Sequence, residues 1–394
     1  MSYVSSLLLI LIIFLPNISL ELYLITITVS VIIAARMNVV FNIYVLLTIL
    51  LYGIYALLRQ YFDEQYNVRD LTEIFRLLSY YVFYCSIKKI TEKKVAEEAL
   101  FNLISLTSIA IFIIGIIETF LPSSTLTSFF TSFYMSDGHY ERSFLANSRA
   151  SGVSTGPGQA GALGAFLFTL NLLYFFFYNN KRLLLQILGL FSSMGIVGLA
   201  QSQTGLIAVS FLFLFAFLFF GRKLNAIKLI LSAFTFFVFA YAAILLSEKI
   251  DLNYLFTFFE YGLERSSFQK RIEKWIFLLN QSTDEPFRWL LGHGKDYFGN
   301  ESAAVDSDIV FIIIVYGPII STLLFCFITY VFIRFLFKKS IYHIYVVFSI
   351  LVGLIMSIPS AFLFDTKVCA LFIFIYVLLR KNLEYEKYSN PSTR

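Results

Sequence analysis

The chain has 394 residues, 59% of them hydrophobic and only 14% charged, with a formal net charge of +5 and a mean hydropathy of +0.79. Forty-six Phe and 25 Tyr are far more apolar surface than a soluble core of this size could bury, which excludes a water-soluble globule. The sequence pI near 8.9 therefore reflects membrane topology, and no nucleic-acid partner is expected.

The chain opens on an apolar run, Leu7 to Leu15, with no basic stretch before it and no small-x-small cleavage pattern, so it reads as a retained first span. About 20 apolar residues cross a bilayer as a helix. That ruler places spans near 3–19, 21–35, 39–58, 71–87, 99–121, 159–178, 183–200, 206–220, 229–246, 309–333, 341–358 and 368–379. The expectation is an all-α polytopic bundle of about twelve spans (10–13), one integral membrane domain over 1–394. Helix is required because hydrocarbon offers no water to an open backbone. Two larger polar loops remain, 122–158 and 247–308.

Lys and Arg in the short loops set the orientation. With the N-terminus cytoplasmic, the inner segments carry seventeen and the short outer loops five, namely Arg59, Arg69, Arg142, Arg149 and Lys367. Both termini are then inside and both larger loops outside. Within the spans, Glu73 and Arg76 stand three apart on one helical face, as a structural pair or a proton or ion relay. The three cysteines fall in apolar spans with no metal or disulfide spacing.

The first outer loop ends in Ser148-Arg149-Ala150-Ser151-Gly152-Val153-Ser154-Thr155-Gly156-Pro157-Gly158, and its glycines and proline hold off helix until Gln159. Amides at that helix start, together with Arg149, could hold an anion; an ordinary Gly/Pro-rich lead-in to a membrane helix reads equally well. A polar hairpin follows at Gln201-Ser202-Gln203-Thr204-Gly205.

The second loop carries seven basic and eleven acidic side chains and both tryptophans. Phe268, Ile272, Trp275, Ile276 and Leu279 recur at helical steps over Glu264–Leu279, with Arg265, Lys270, Arg271 and Lys274 on the polar sides. Such a helix could lie on the membrane with Trp275 as anchor, or roof a cavity. Beyond it, Gly292-His293-Gly294 presents a histidine between two glycines, where core packing explains it poorly and general-base work would suit it. No nucleotide-binding motif, metal-ligand cluster or local Ser–His–Asp signature is present, so no cofactor is expected. An enzyme with outward polar residues needs a substrate that is already activated.

Four features in order resemble the bacterial O-antigen polymerase and O-antigen ligase superfamily. They are Arg149-x-x-Gly152 with Pro157 and Gly161; the Gln203-Thr204-Gly205 turn; Arg271-x-x-x-Trp275 … Leu291-Gly292-x-Gly294 … Phe298; and Asp308 leading to Tyr316-Gly317-Pro318-Ile319. They span about half the chain. The resemblance implies an undecaprenyl-diphosphate-linked oligosaccharide as substrate, polymerised on the periplasmic face of a bacterial inner membrane, with a chain-length regulator as a further partner. It implies diphosphate or glycan contacts from Arg149, Gly152, Gln203, Arg265, Arg271 and Trp275, and a base at Asp308 or His293. Two departures are visible. Gln203 stands where the family turn carries arginine, and Asp308 stands where ligases tend to carry histidine, as polymerases commonly do. The alternatives are O-antigen ligase, with lipid A–core as acceptor, and a lipid-linked oligosaccharide flippase, against which the scarcity of charge in the spans argues.

Overall fold

The computed structural model describes residues 3–16, 20–36, 40–62, 68–91, 96–135, 140–145, 149–178, 182–220, 266–294, 297, 307–338, 340–358 and 365–389. Its regular structure is helical. The helices are α1 (Tyr3–Phe14), α2 (Leu20–Ala35), α3 (Ile43–Phe62), α4 (Val68–Ile90), α5 (Glu97–Phe120), α6 (Thr125–Tyr134), α7 (Pro157–Phe177), α8 (Leu183–Leu199), α9 (Gln203–Phe220), α10 (Ser266–Thr283), α11 (Pro286–Leu291), α12 (Asp308–Leu336), α13 (Ile341–Ser357) and α14 (Thr366–Ser389), with one π-helical turn at Tyr140–Leu145.

Each expected span meets one of these helices except 229–246, which lies outside the described residues. Among the described residues four helices are long and apolar enough to cross a membrane: α3, α5, α7 and α12. Five more are apolar but shorter: α1, α2, α8, α9 and α13. Large apolar side chains also face outward, among them Ile33, Leu51 and Leu323. Water would penalise that exterior and hydrocarbon would not.

Burial ranks the helices. The most apolar stretch of α7 is 89% buried and that of α3 only 22%, so α7 is central and α3 peripheral. Small residues let α7 and its neighbours approach closely. A Cβ on Gly164 would sit 2.8 Å from the Val197 side chain of α8. Polar groups inside this packing satisfy one another: Ser105 Oγ donates to Asn171 Oδ1 (2.7 Å), and Asn171 Nδ2 donates to Ser108 Oγ (3.0 Å). Ser124 caps α6 through the Thr127 amide, and Tyr134 at its far end donates to the Phe14 carbonyl at 2.9 Å. The first polar loop is thereby strapped to the end of α1. Pro157 occupies the first position of α7, so that helix starts two residues earlier than the glycine content suggests.

The other irregularity is the break in α12. Gly317 has φ 78° and ψ 159°, and Pro318 follows it without an N–H. In an unbroken helix the amides of residues 318 and 319 would pair with the carbonyls of Ile314 and Val315. Here those carbonyls accept instead from His293 N (2.8 Å) and Gly294 N (3.1 Å), in the segment just after α11. The polypeptide at 292–294 thus lies across the break.

Only glycine fits this crossing. Gly292 has φ 92°, and a Cβ there would stand 2.6 Å from the Tyr316 carbonyl carbon and 2.7 Å from the Gly317 amide. Gly292→Ala is expected to lower stability by about 2–5 kcal/mol, from backbone strain and backbone overlap together. Thermal unfolding of the detergent-solubilised variant measures this; an unshifted midpoint would mean that the crossing tolerates a side chain.

Candidate functional site

The polar residues gather at one end of the bundle, where α1, α3, α5, α8 and α13 finish and α4, α7, α9, α12 and α14 begin. The loop before α7 supplies the first group. Its backbone is held by Ala150 N donating to Leu199 O at 3.1 Å, and by the amides of Ser151 and Gly152, which both donate to Glu118 Oε2 at 2.9 Å. Gly152 takes φ 56° against Ile111, a position where a side chain would be strained. Arg149 reaches across to the α8–α9 connection, with Nε donating to Ala200 O (3.1 Å) and Nη2 to Gln201 O (3.4 Å).

That connection is tighter than the expected hairpin. Its bend is at Ala200–Ser202, with Gln201 at φ 48°, and Gln203 to Gly205 already form the first turn of α9, Gly205 N donating to Ser202 Oγ at 3.2 Å. Gln203 is half-buried. Lys367, counted from sequence as a loop cation, is 2% exposed. It donates to Ile13 O at 3.1 Å and to Val153 O, and it stands 5.1 Å from the centre of the Tyr134 ring.

The second group surrounds the α12 break. Tyr55 donates to Gly292 O at 2.9 Å, and Arg59 reaches the same carbonyl at 3.5 Å. Arg59 also pairs with Asp70, which accepts from Gln60 at 3.3 Å. Arg76 pairs with Glu73, and Tyr316, immediately before the break, donates to the same Glu73 oxygen. The expected Glu73/Arg76 pair therefore exists, and it is bound to the break in α12.

His293 corrects the sequence reading. Its flanking glycines suggested a presented ring; instead it is 8% exposed, its Nε2 lies 2.8 Å from Ser282 O, and its ring is 4.5 Å from that of Tyr297. A carbonyl only accepts, so Nε2 carries the proton and the lone pair of the neutral ring is on Nδ1. Burial lowers the His293 pKa below the usual 6.5, outweighing the Ser282 bond that raises it. The ring is therefore neutral at pH 7. The glycines serve the backbone crossing, not display of the side chain.

Asp308, at the first turn of α12, is 1% exposed and accepts from Ser357 Oγ at 3.2 Å, while Ser307 donates to Ser357 O at 3.3 Å. Trp275 does not anchor a free surface helix. It packs edge-on against Phe268, ring centres 5.9 Å apart, and with Leu278 and Leu279 it covers Val310 and Ile314 of α12. Helix α10 packs over the start of α12. Arg271 is exposed on that helix, and Arg265 lies outside the described residues.

Sequence reasoning missed Glu118, Asp70 and the burial of Arg59 and Lys367. Glu118 carried a signal: it is a lone acid in an apolar span, and such residues bury only with partners. The other three lie at helix ends, where sequence does not distinguish a buried charge from a solvated one. No family model matches the chain, and no curated protein and no solved structure is similar to it.

The ion pairs make a direct test. Arg59→Leu leaves Asp70 buried against an apolar side chain and is expected to cost about 3–5 kcal/mol. Adding Asp70→Asn should recover much of the loss. A double variant no more stable than the single would show that the pair is not the source.

Proposed function

We propose that this protein polymerises a surface polysaccharide, transferring a growing glycan from undecaprenyl diphosphate to a lipid-linked repeat unit on the periplasmic face of the inner membrane. One observation supports the reading most. The four sequence features that resemble the polymerase and ligase superfamily are brought side by side in two pairs. Arg149 binds the carbonyls of Ala200 and Gln201, just before Gln203. Gly292–Gly294 crosses α12 beside Tyr316-Gly317-Pro318. Features that merely happened to occur in an apolar sequence would have no reason to interlock.

In this reaction the acceptor sugar hydroxyl attacks the anomeric carbon of the donor. The bond from that carbon to the diphosphate oxygen breaks, and the diphosphate leaves on the lipid. Positive side chains stabilise the charge that develops on the departing oxygen. Arg149 and the exposed Arg271 have the planar fork that matches phosphate. A carboxylate or imidazole takes the hydroxyl proton. Asp308 is the proposed acceptor, at the start of a half-helix whose far end is fixed by the 292–294 crossing. His293 Nδ1 is the other.

Arg149→Ala should abolish long chains at normal protein abundance, and Arg149→Lys should restore them only in part, because lysine keeps the charge and loses the fork. Long chains in a well-expressed alanine variant would remove Arg149 from the reaction. Deleting the gene should leave core lipid capped with a single repeat unit, and Asp308→Asn should reproduce much of this by removing the proton acceptor. Bare core with polymer left on the lipid carrier would make the protein a ligase.

A further inference from the structure

We infer that Glu118 and Lys367 are positioning residues for Arg149, acting through opposite sides of the loop that carries it. The inference rests on the polymerase reading for what Arg149 does, but not for how it is held. The loop over 149–154 has no helix or strand to set its course. The amides of Ser151 and Gly152 converge on one oxygen of Glu118, each at 2.9 Å. The carbonyl of Val153, the next residue, accepts from Lys367 Nζ. An acid from the end of α5 thus takes the N–H side of the loop, and a base from the start of α14 takes its C=O side. Lys367 also holds the end of α1 through Ile13 O, at 3.1 Å.

Two successive amides aimed at one anion form the kind of concavity in which proteins bind phosphate. Here that concavity is already filled by a carboxylate of the same chain. The loop backbone at 151–152 therefore has no amides to offer an external phosphate. Glu118 is 1% exposed and Lys367 2%. Glu118 Oε2 and Lys367 Nζ are engaged by the loop's own backbone, so each acts on Arg149 through the loop. The second carboxylate oxygen of Glu118 has no hydrogen-bond partner among the described residues. Glutamine can then keep both amide bonds through its carbonyl and put its NH2 where no bond is lost.

The test uses the full chain in lipid nanodiscs, with Glu118→Ala, Glu118→Gln, Lys367→Met, Arg149→Ala and the double variant Glu118→Ala/Arg149→Ala. Two readouts are taken: amide hydrogen exchange over 149–156, and KM against kcat for a polyprenyl-diphosphate-linked repeat unit. Exchange over 149–156 should accelerate about tenfold or more in Glu118→Ala and in Lys367→Met and stay near the parent rate in Glu118→Gln. Glu118→Ala should raise KM about tenfold, and the double variant should be no worse than Arg149→Ala alone, because a residue that acts only through Arg149 has nothing left to act on. Glu118→Asp, which keeps the charge but draws the oxygens back by one methylene, should give a smaller rise, and it carries the same cycle if the alanine variant does not accumulate. Unchanged exchange in Glu118→Ala, or a double variant whose losses add, overturns the inference. Should exchange respond as expected while Arg149→Ala polymerises normally, the positioning stands and the role given to Arg149 in polymerisation falls.

Discussion

Two backbone hydrogen bonds, from His293 and Gly294 to Ile314 and Val315, hold the second half of this structure in register. A helix broken by Gly317 and Pro318 leaves carbonyls without partners, and in an apolar bundle no water is at hand to take them. The segment after α11 takes them, and the consequences spread outward. Glycine is required at 292, 294 and 317 because two backbone segments and the Arg59 guanidinium meet there. Tyr55 and Arg59 of α3 fasten to the Gly292 carbonyl, and Tyr316 fastens to Glu73 of α4. The half-helix that begins at Asp308 is thus held at its far end by side chains of α3 and α4.

The charges at this end of the bundle follow one rule. Four buried groupings find a partner of opposite sign or backbone dipoles: Arg59 with Asp70, Arg76 with Glu73, Lys367 with carbonyls, Glu118 with amides; Asp308 accepts from the Ser357 hydroxyl. Buried pairs contribute little net stability compared with apolar residues of the same volume, because desolvation offsets their attraction. Their concentration at one end is better explained by geometry. A carboxylate joined to two amides, or a guanidinium joined to a carboxylate and a carbonyl, admits far fewer arrangements than leucine against leucine.

The helices were legible in the sequence because in hydrocarbon only one local structure satisfies the backbone, so apolar length alone marks them. The Glu73–Arg76 pair was legible because its spacing is fixed by the helix itself. What could not be read was pairing across the fold. Gly292-His293-Gly294 looks like a flexible turn displaying a side chain when its partner, the break at Gly317, is not yet known to lie against it. Trp275 looks like a membrane anchor until Val310 and Ile314 are found beneath it. Gln201 to Gly205 was read as one hairpin, whereas the chain turns within Ala200–Ser202 and begins a helix at Gln203. At 292–294 and at Trp275 the local signal was silent about the contact; at Gln201–Gly205 it also placed the helix start too late.

That division bears on how such a site could recognise a diphosphate. Backbone amides are the usual partners of phosphate at glycine-rich loops, since they are fixed in place and bring a partial positive charge. In this chain the loop amides at 151 and 152 are engaged by Glu118, and those at 293 and 294 are engaged by α12. These four backbone donors build the scaffold. Arg149 and Arg271 carry forks suited to phosphate, and Gln203, at the head of α9 next to the carbonyls Arg149 binds, offers an amide where the family turn has a third charge. Under the proposed function, affinity for the diphosphate would depend on how well the frame limits the conformational freedom of Arg149 and Arg271 before the substrate arrives.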